Sequence, residues 1–231
     1  MSNPTASGRL RFPPGGDEPE IPWPGTPVPG RPQPPGGPEQ VPLPPTRIWL
    51  DPHVGWQDKL YERLLERRIV LASGVLDEAA ATRLSAQLLT LDAEGDGPVR
   101  LELQNLQAEL PAALTLMGVL DVMRAQVQAF VGGEIGGPAL GVLASCPRRL
   151  AYPNASFTLS EPRLRFSGTA AAVSAREQQV RRMVDSLVYR IAEAAGRDAG
   201  DVREDTRRGR VLTVGEAIGY GLIHDRAARR G

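Results

Sequence analysis

One cysteine, Cys146, and two histidines, His53 and His224, are all the thiol and imidazole that 231 residues carry. A single cysteine excludes an internal disulfide and a cysteine-based metal site. Two histidines so far apart in the chain give no local metal-ligand spacing. Lysine is scarcer still: Lys59 is the only one, every other basic residue is arginine, and the arginines are scattered rather than clustered, as genomic codon bias alone would leave them. The 27 basic and 27 acidic residues balance, so no polyelectrolyte partner such as nucleic acid is implied. No run approaches the roughly 18 apolar residues of a membrane span. The N-terminus lacks the charged region and apolar stretch of a signal peptide. The expectation is a soluble, cytoplasmic protein with no metal and no cofactor.

Proline is abundant, but in one place. Residues 1–46 hold 15 of the 22 prolines together with 7 glycines. A stretch such as FPPGGDEPEIPWPGTPVPG buries too little apolar surface to offset the entropy of ordering, and proline removes backbone donors. Residues 1–46 are therefore expected to be a disordered tail with polyproline II character. It is either a plain solubilising tail or, through its PLPP segment, a ligand for an aromatic groove. Trp23 is its most conspicuous residue, a large aromatic that an inert linker has no use for.

Order is expected from Arg47, in a domain covering 47–231. GWQDKLYERLLERR sets Trp56, Leu60, Tyr61 and Leu64 at helical spacing, and IVLASGVL is short, apolar and β-branched, which predicts a buried strand. In DEAAATRLSAQLLTLDAEG, Asp77 caps a helix that Gly95 closes. VRLELQ turns Val99, Leu101 and Leu103 to one side, the period of a strand. AALTLMGVLDVMRA predicts a helix, VQAFVGG a strand, and the residues from Pro138 to about Ala144 a short helix. After the turn at CPRR, LAYP and ASFTLS predict two more strands. The longest helix is AAAVSAREQQVRRMVDSLVYRIAEAAG, with Val180, Met183, Val184, Leu187, Val188 and Ile191 along its apolar face. That amphipathic face suits ordinary core burial or packing against a partner. Thr213 and Glu216 have the spacing of a capping box at the start of a last short helix. Repeated alternation of strand and helix predicts an α/β fold, a layered sheet with covering helices.

The stretch VGGEIGGPALG, residues 131–141, looks like a site and carries no Ser, Thr, Cys, Lys or His. It lacks the Gly-Lys-Ser/Thr ending of a phosphate loop, and Gly-x-Gly-x-x-Gly fails because Val131 stands at its first position. Free amides at a helix N-terminus still leave it capable of meeting an anion or a peptide carbonyl.

Over residues 57–225 the order of elements and the words within them resemble the proteolytic subunit of the Clp protease, a serine peptidase of crotonase-like α/β fold that stacks in rings. YERLLERRIVLASGVLDEAAATRLSAQLLTLDAEG is similar to the family's opening. VRLELQN is similar to the strand ending in Ile-Asn, LAYPNASFTL to the Pro-Asn-Ser turn, and EDTRRGRVLTVGEAIGYGLIHD to the family's Arg-Asp-Thr segment and its closing Tyr-Gly-Leu-Ile-Asp. The resemblance implies that fold, with one long protruding helix. It also implies a Ser-His-Asp triad, and three positions here correspond to it. Gly136 stands at the nucleophile, with Gly137 where the following Met would be. Ser160 stands at the histidine and Gly209 at the aspartate. No Ser-Pro-Gly-Gly oxyanion turn follows Asn105, where the chain has LQAELP, two residues longer.

Glycine can neither attack a carbonyl nor orient an imidazole, and a serine hydroxyl is no general base at neutral pH. Cys146 lies ten residues past Gly136, about 15 Å along a helix, with no histidine nearby in sequence, and is expected to be structural. Ser160 beside Glu161 has the form of a relic dyad, but is expected to be hydrogen-bonded within a strand. His224 is expected at the surface, and nothing points His53 inward. The glycine stretch then keeps a strand-to-helix turn whose chemistry has gone. The expected function is a catalytically silent subunit that assembles in, or modulates, a ring-shaped ATP-dependent serine protease. Its partners would be active proteolytic subunits and an unfoldase ATPase. Two alternatives stand beside it: an active endopeptidase subunit with a non-standard site, and a free-standing crotonase-like protein that binds an acyl or peptide ligand.

Overall fold

In a computed structural model of the chain, residues 56–162 and 170–228 are described. The proline-rich segment 1–46 with Trp23, the expected start of order at Arg47, and His53 lie outside them. From Trp56 onward the strand–helix alternation read from the sequence is present. Helix α1 (Trp56–Glu66) leads into β1 (Ile69–Leu76), α2 (Glu78–Glu94), β2 (Val99–Ala108), α3 (Leu110–Val122), β3 (Val127–Gly136) and α4 (Ala139–Ala144). Then follow β4 (Arg148–Ala151), β5 (Ser156–Thr158), α5 (Ala170–Ala195), α6 (Ala199–Arg208), β6 (Val211–Thr213), α7 (Val214–Tyr220) and β7 (Asp225–Arg226). The sheet runs β1-β2-β3-β4-β7, all parallel, and β5 continues it by pairing with the far end of β3. Only β6, paired to β5, is antiparallel. Parallel strands need covering on both faces, and the crossover helices supply it.

Local chemistry sets the helix ends. The Asp77 side chain accepts the Ala80 amide at 2.7 Å and starts α2. Thr213 and Glu216 form the capping box in full, each side chain bonding the other's backbone amide. Burial along β2 and β3 follows the alternation, with Val99, Leu101, Leu103, Val127, Ala129 and Val131 all within the core. On α5, Leu187, Val188 and Ile191 are buried, while Val180, Met183 and Val184 are half-buried.

Three expectations need correcting. β1 is not a buried strand: it is the sheet edge, and Ser73, Gly74 and Val75 are exposed. The apolar run hid this because its three inward residues, Val70, Ala72 and Leu76, look no different from their neighbours. β2 does not stop at Asn105 but runs on to Ala108 through a bulge, with Asn105 at φ 46°. The extra residue breaks the two-residue period, so alternation fails to reveal the continuation. β5 ends at Thr158, so Ser160 lies two residues beyond the strand. Helix α6 had no sequence expectation at all; it is almost wholly polar and is held by buried Val202 and Thr206.

Candidate functional site

The glycine stretch is mostly strand. β3 runs through Gly132 to Gly136 with a register shift at Gly133, at φ 69°, and Gly137 is the turn residue, at φ 54°. The two earlier glycines serve the neighbouring strand. A side chain at 132 would collide with Gln104, and one at 133 with Asn105. Asn105 uses that room: its Oδ1 accepts the Glu134 amide at 3.1 Å. The expected strand-to-helix turn is there, but two of its four glycines serve close strand packing rather than the turn.

Beyond Gly136 the chain borders a cleft of about 630 Å³. Its walls are the end of β2 with Glu109, the end of β3 with Glu134, Gly136 and Gly137, and the segment after β5 with Ser160 and Glu161. Gly136 is paired with Thr158 across the sheet. Ser160 Oγ is 3.4 Å from where a Cβ on Gly137 would stand. Leu159, just before Ser160, donates its amide to the Arg210 carbonyl at 2.8 Å, which brings in the chain next to Gly209. Gly209 itself is the left-handed residue that ends α6, at φ 68° and ψ 44°. So Gly136, Ser160 and Gly209, 73 positions apart at the extremes, gather at one end of the sheet, with Gly136 and Ser160 in the cleft wall.

Hydrolysis of an amide needs an attacking atom, a base and donors aimed at the developing oxyanion. Among the described residues, those lining this cleft include no histidine, cysteine or lysine. The amide of Gly137 is already bonded to the Thr158 carbonyl at 2.9 Å. A Cβ at position 136 would sit 3.1 Å from both the Cβ and the carbonyl oxygen of Thr158, tighter than ordinary van der Waals contact. Thr158 thus fills the space beside Gly136, and its Oγ1 donates to Glu134 Oε1 at 3.3 Å. Sequence reasoning missed Thr158 and the acids Glu109 and Glu134, because nothing in the spacing shows which residue lies across the β3–β5 pair. After Asn105, where an oxyanion turn was sought, the backbone continues as β2 and the Glu109 amide bonds the Leu76 carbonyl.

The other candidates lie elsewhere. Cys146 is buried just past α4 with Sγ 3.5 Å from the Val142 carbonyl, and burial pushes its thiol up to about 12. A thiol so protonated is no nucleophile at neutral pH. His224 is exposed beside β4, where its Nδ1 accepts the Arg149 amide at 3.0 Å. Neither lines the cleft. Among the described residues no group of three or more His, Cys, Asp or Glu could hold a metal ion. The same residues include no helix long and apolar enough to cross a membrane.

Comparison with known proteins bears on the whole of this architecture. The family model described as Clp protease matches residues 55–229. Proteolytic subunit 2 of the ATP-dependent Clp protease of Mycobacterium bovis is 28% identical over 168 residues, covering 71% of this chain and 78% of that protein. Proteolytic subunit 1 of Rhodococcus jostii is 27% identical over 197 residues, 84% of this chain and 90% of that one. The proteolytic subunit of Ligilactobacillus salivarius is 26% identical over 167 residues, covering 71% and 85%. The mostly parallel sheet flanked by helices agrees with the Clp, crotonase-like fold.

Proposed function

The chain belongs to the Clp protease family, and on that premise we propose that it is a catalytically silent proteolytic-subunit-like protein. In this reading Gly136, Ser160 and Gly209 occupy the places of the attacking, proton-accepting and orienting groups, and none can do that work. The observation that carries the proposal is the cleft wall itself. Its described residues offer no imidazole, and its turn amide at Gly137 is committed to the Thr158 carbonyl. A serine peptidase stripped of its triad retains only what its oxyanion hole and binding supply, on the order of 10³-fold over water. Here even the donor at the turn is engaged.

The curated relatives are named as subunits of ATP-dependent Clp proteases. What a silent subunit contributes is then structural: it assembles in a ring beside active subunits, sets the number of working sites and presents a face to an unfoldase ATPase, in the cytoplasm. The domain at 47–231 does this, and the tail at 1–46 is an addition to it. The folded core supports such a role, because a full α/β sheet with its covering helices surrounds a cleft whose described lining has no His, Cys or Lys.

The test treats the purified protein with a fluorophosphonate probe and measures its intact mass, with a model-peptide assay alongside. No adduct and no cleavage are expected. An adduct on any serine of this chain, with peptide cleavage, would establish the active-subunit alternative instead.

A further inference from the structure

At the far edge of the sheet, away from the cleft, the last described strand is short and pairs on one side only. β7 is two residues long, with Leu150 opposite Asp225 and Ala151 opposite Arg226. Besides the ladder bonds of that pair and the Arg149 side-chain bonds to Leu222 and Gly221, three hydrogen bonds join the flanking residues to β4. The His224 amide donates to the Arg149 carbonyl at 2.9 Å, and the Ala227 amide donates to the Ala151 carbonyl at 2.8 Å. The third runs the other way, from the Arg149 amide to Nδ1 of His224 at 3.0 Å. His224 and Arg149 thus bond each other twice, and one of those bonds needs a lone pair on the imidazole. Nδ1 accepts only when the ring is neutral and carries its proton on Nε2. Protonation turns Nδ1 into a donor facing another donor.

The surroundings set which form is favoured. Partial burial disfavours the cation most, and the Arg149 and Arg148 guanidiniums on β4 disfavour it further, so the imidazole titrates below its ordinary range. On its own strand the nearest acid is Asp225, whose Oδ1 accepts the Arg226 amide at 2.7 Å. Arg226 adds another positive charge to the strand. Ala227 and Ala228, next along, form one wall of a groove of about 590 Å³ whose other walls include Leu64, Arg100, Phe130 and Tyr152.

We propose that His224 is a proton-sensitive latch: neutral, it clips the β7 segment to β4 through Arg149, and protonated, it loosens that segment and with it the Ala227–Ala228 wall of the groove. The sign follows from linkage. In the folded chain burial and the Arg149 and Arg148 guanidiniums lower the affinity of the imidazole for its proton, which favours the neutral form that makes the clip. Its contribution is therefore full above about pH 6.5, the unperturbed value, and is lost as pH falls through the lower folded value. One hydrogen bond exchanged for a donor–donor contact corresponds to roughly five-fold in the opening equilibrium.

The experiment is amide hydrogen exchange on the full chain, resolved at residues 224–227 and corrected for the intrinsic pH dependence of exchange. Protection of Ala227 is expected to fall about five-fold between pH 7.5 and pH 5, while the β2 and β3 amides keep theirs. His224→Asn leaves an acceptor where Nδ1 was and cannot titrate, so its protection should be the same at both pH values. His224→Ala should show the unlatched level at both. A pH-independent Ala227 amide in the unmodified chain overturns the proposal, as does an unchanged pH response in His224→Asn. Both variants lie at the surface, and a thermal melt at pH 7.5 checks that they fold. None of these outcomes depends on whether the cleft is silent.

Discussion

The two ends of the short helix α4 make opposite use of their backbone. At its N-terminal end lie Gly136 and Gly137, bordering the cleft, where the turn amide bonds a strand carbonyl and the described lining residues include no His, Cys or Lys. At its C-terminal end the buried Arg149 side chain collects carbonyls. Its guanidinium donates to Leu222 at 2.8 Å, Cys146 at 3.1 Å, Ala194 at 2.8 Å and Gly221 at 3.3 Å. Those oxygens sit at or just beyond the ends of α4, α5 and α7. Helix C-termini carry partial negative charge, and one cation placed among three of them binds the helices together without a carboxylate. The difference lies in what the polar groups do: at Arg149 a buried cation holds helix ends together, while the cleft keeps its carboxylates and hydroxyls at the surface.

The comparison can be broken first at Arg149. Arg149→Met keeps the volume and leaves four carbonyls without their donor, so stability should fall by about 3 kcal/mol or more. A denaturant titration at pH 7 measures it, and a loss under about 1 kcal/mol would mean water or a neighbour replaces the guanidinium. At the same end, Cys146 should resist alkylation. With its thiol pushed up to about 12, the thiolate at pH 8 is scarcer by about a thousandfold than at an unperturbed cysteine, and the rate with iodoacetamide should fall in proportion. Rapid labelling of the folded protein would show that this end is open.

Between the two ends lies Gly141, packed so that a side chain would strike Leu187 and Met117. Gly141→Val should therefore cost about 1–3 kcal/mol by overpacking, read as a lower melting temperature. The smallest effect belongs to the cleft. Ser160→Ala should change stability by less than about 0.5 kcal/mol and leave hydrolysis at background. A clear loss of some measurable activity would give Ser160 a role denied to it here.

Much of this contrast was legible in the residues and part was not. Asp77, the Thr213–Glu216 box and the alternation of Val99, Leu101 and Leu103 are local signals, and local geometry obeys them. Helix α6 escaped because a polar sequence anchored by so few buried side chains has no strong apolar period. The extension of β2 escaped because a bulge at Asn105 shifts the period it would be recognised by. At the cleft, the resemblance to the Clp family led to Gly136, Ser160 and Gly209, and all three lie at one end of the sheet. That Thr158 presses on Gly136 and holds the Gly137 amide depends on the β3–β5 pairing, a long-range contact that no local pattern encodes. The carbonyl cage of Arg149 is hidden for the same reason, since its partners come from three helix ends far apart in the chain.

The most direct measurement is native mass spectrometry of this chain co-expressed with an active Clp proteolytic subunit from the same source, after treatment with a fluorophosphonate. The account predicts mixed rings in which every probe adduct is on the active subunit and none is on this chain. An adduct on this chain, or a chain that never enters a ring, would contradict it.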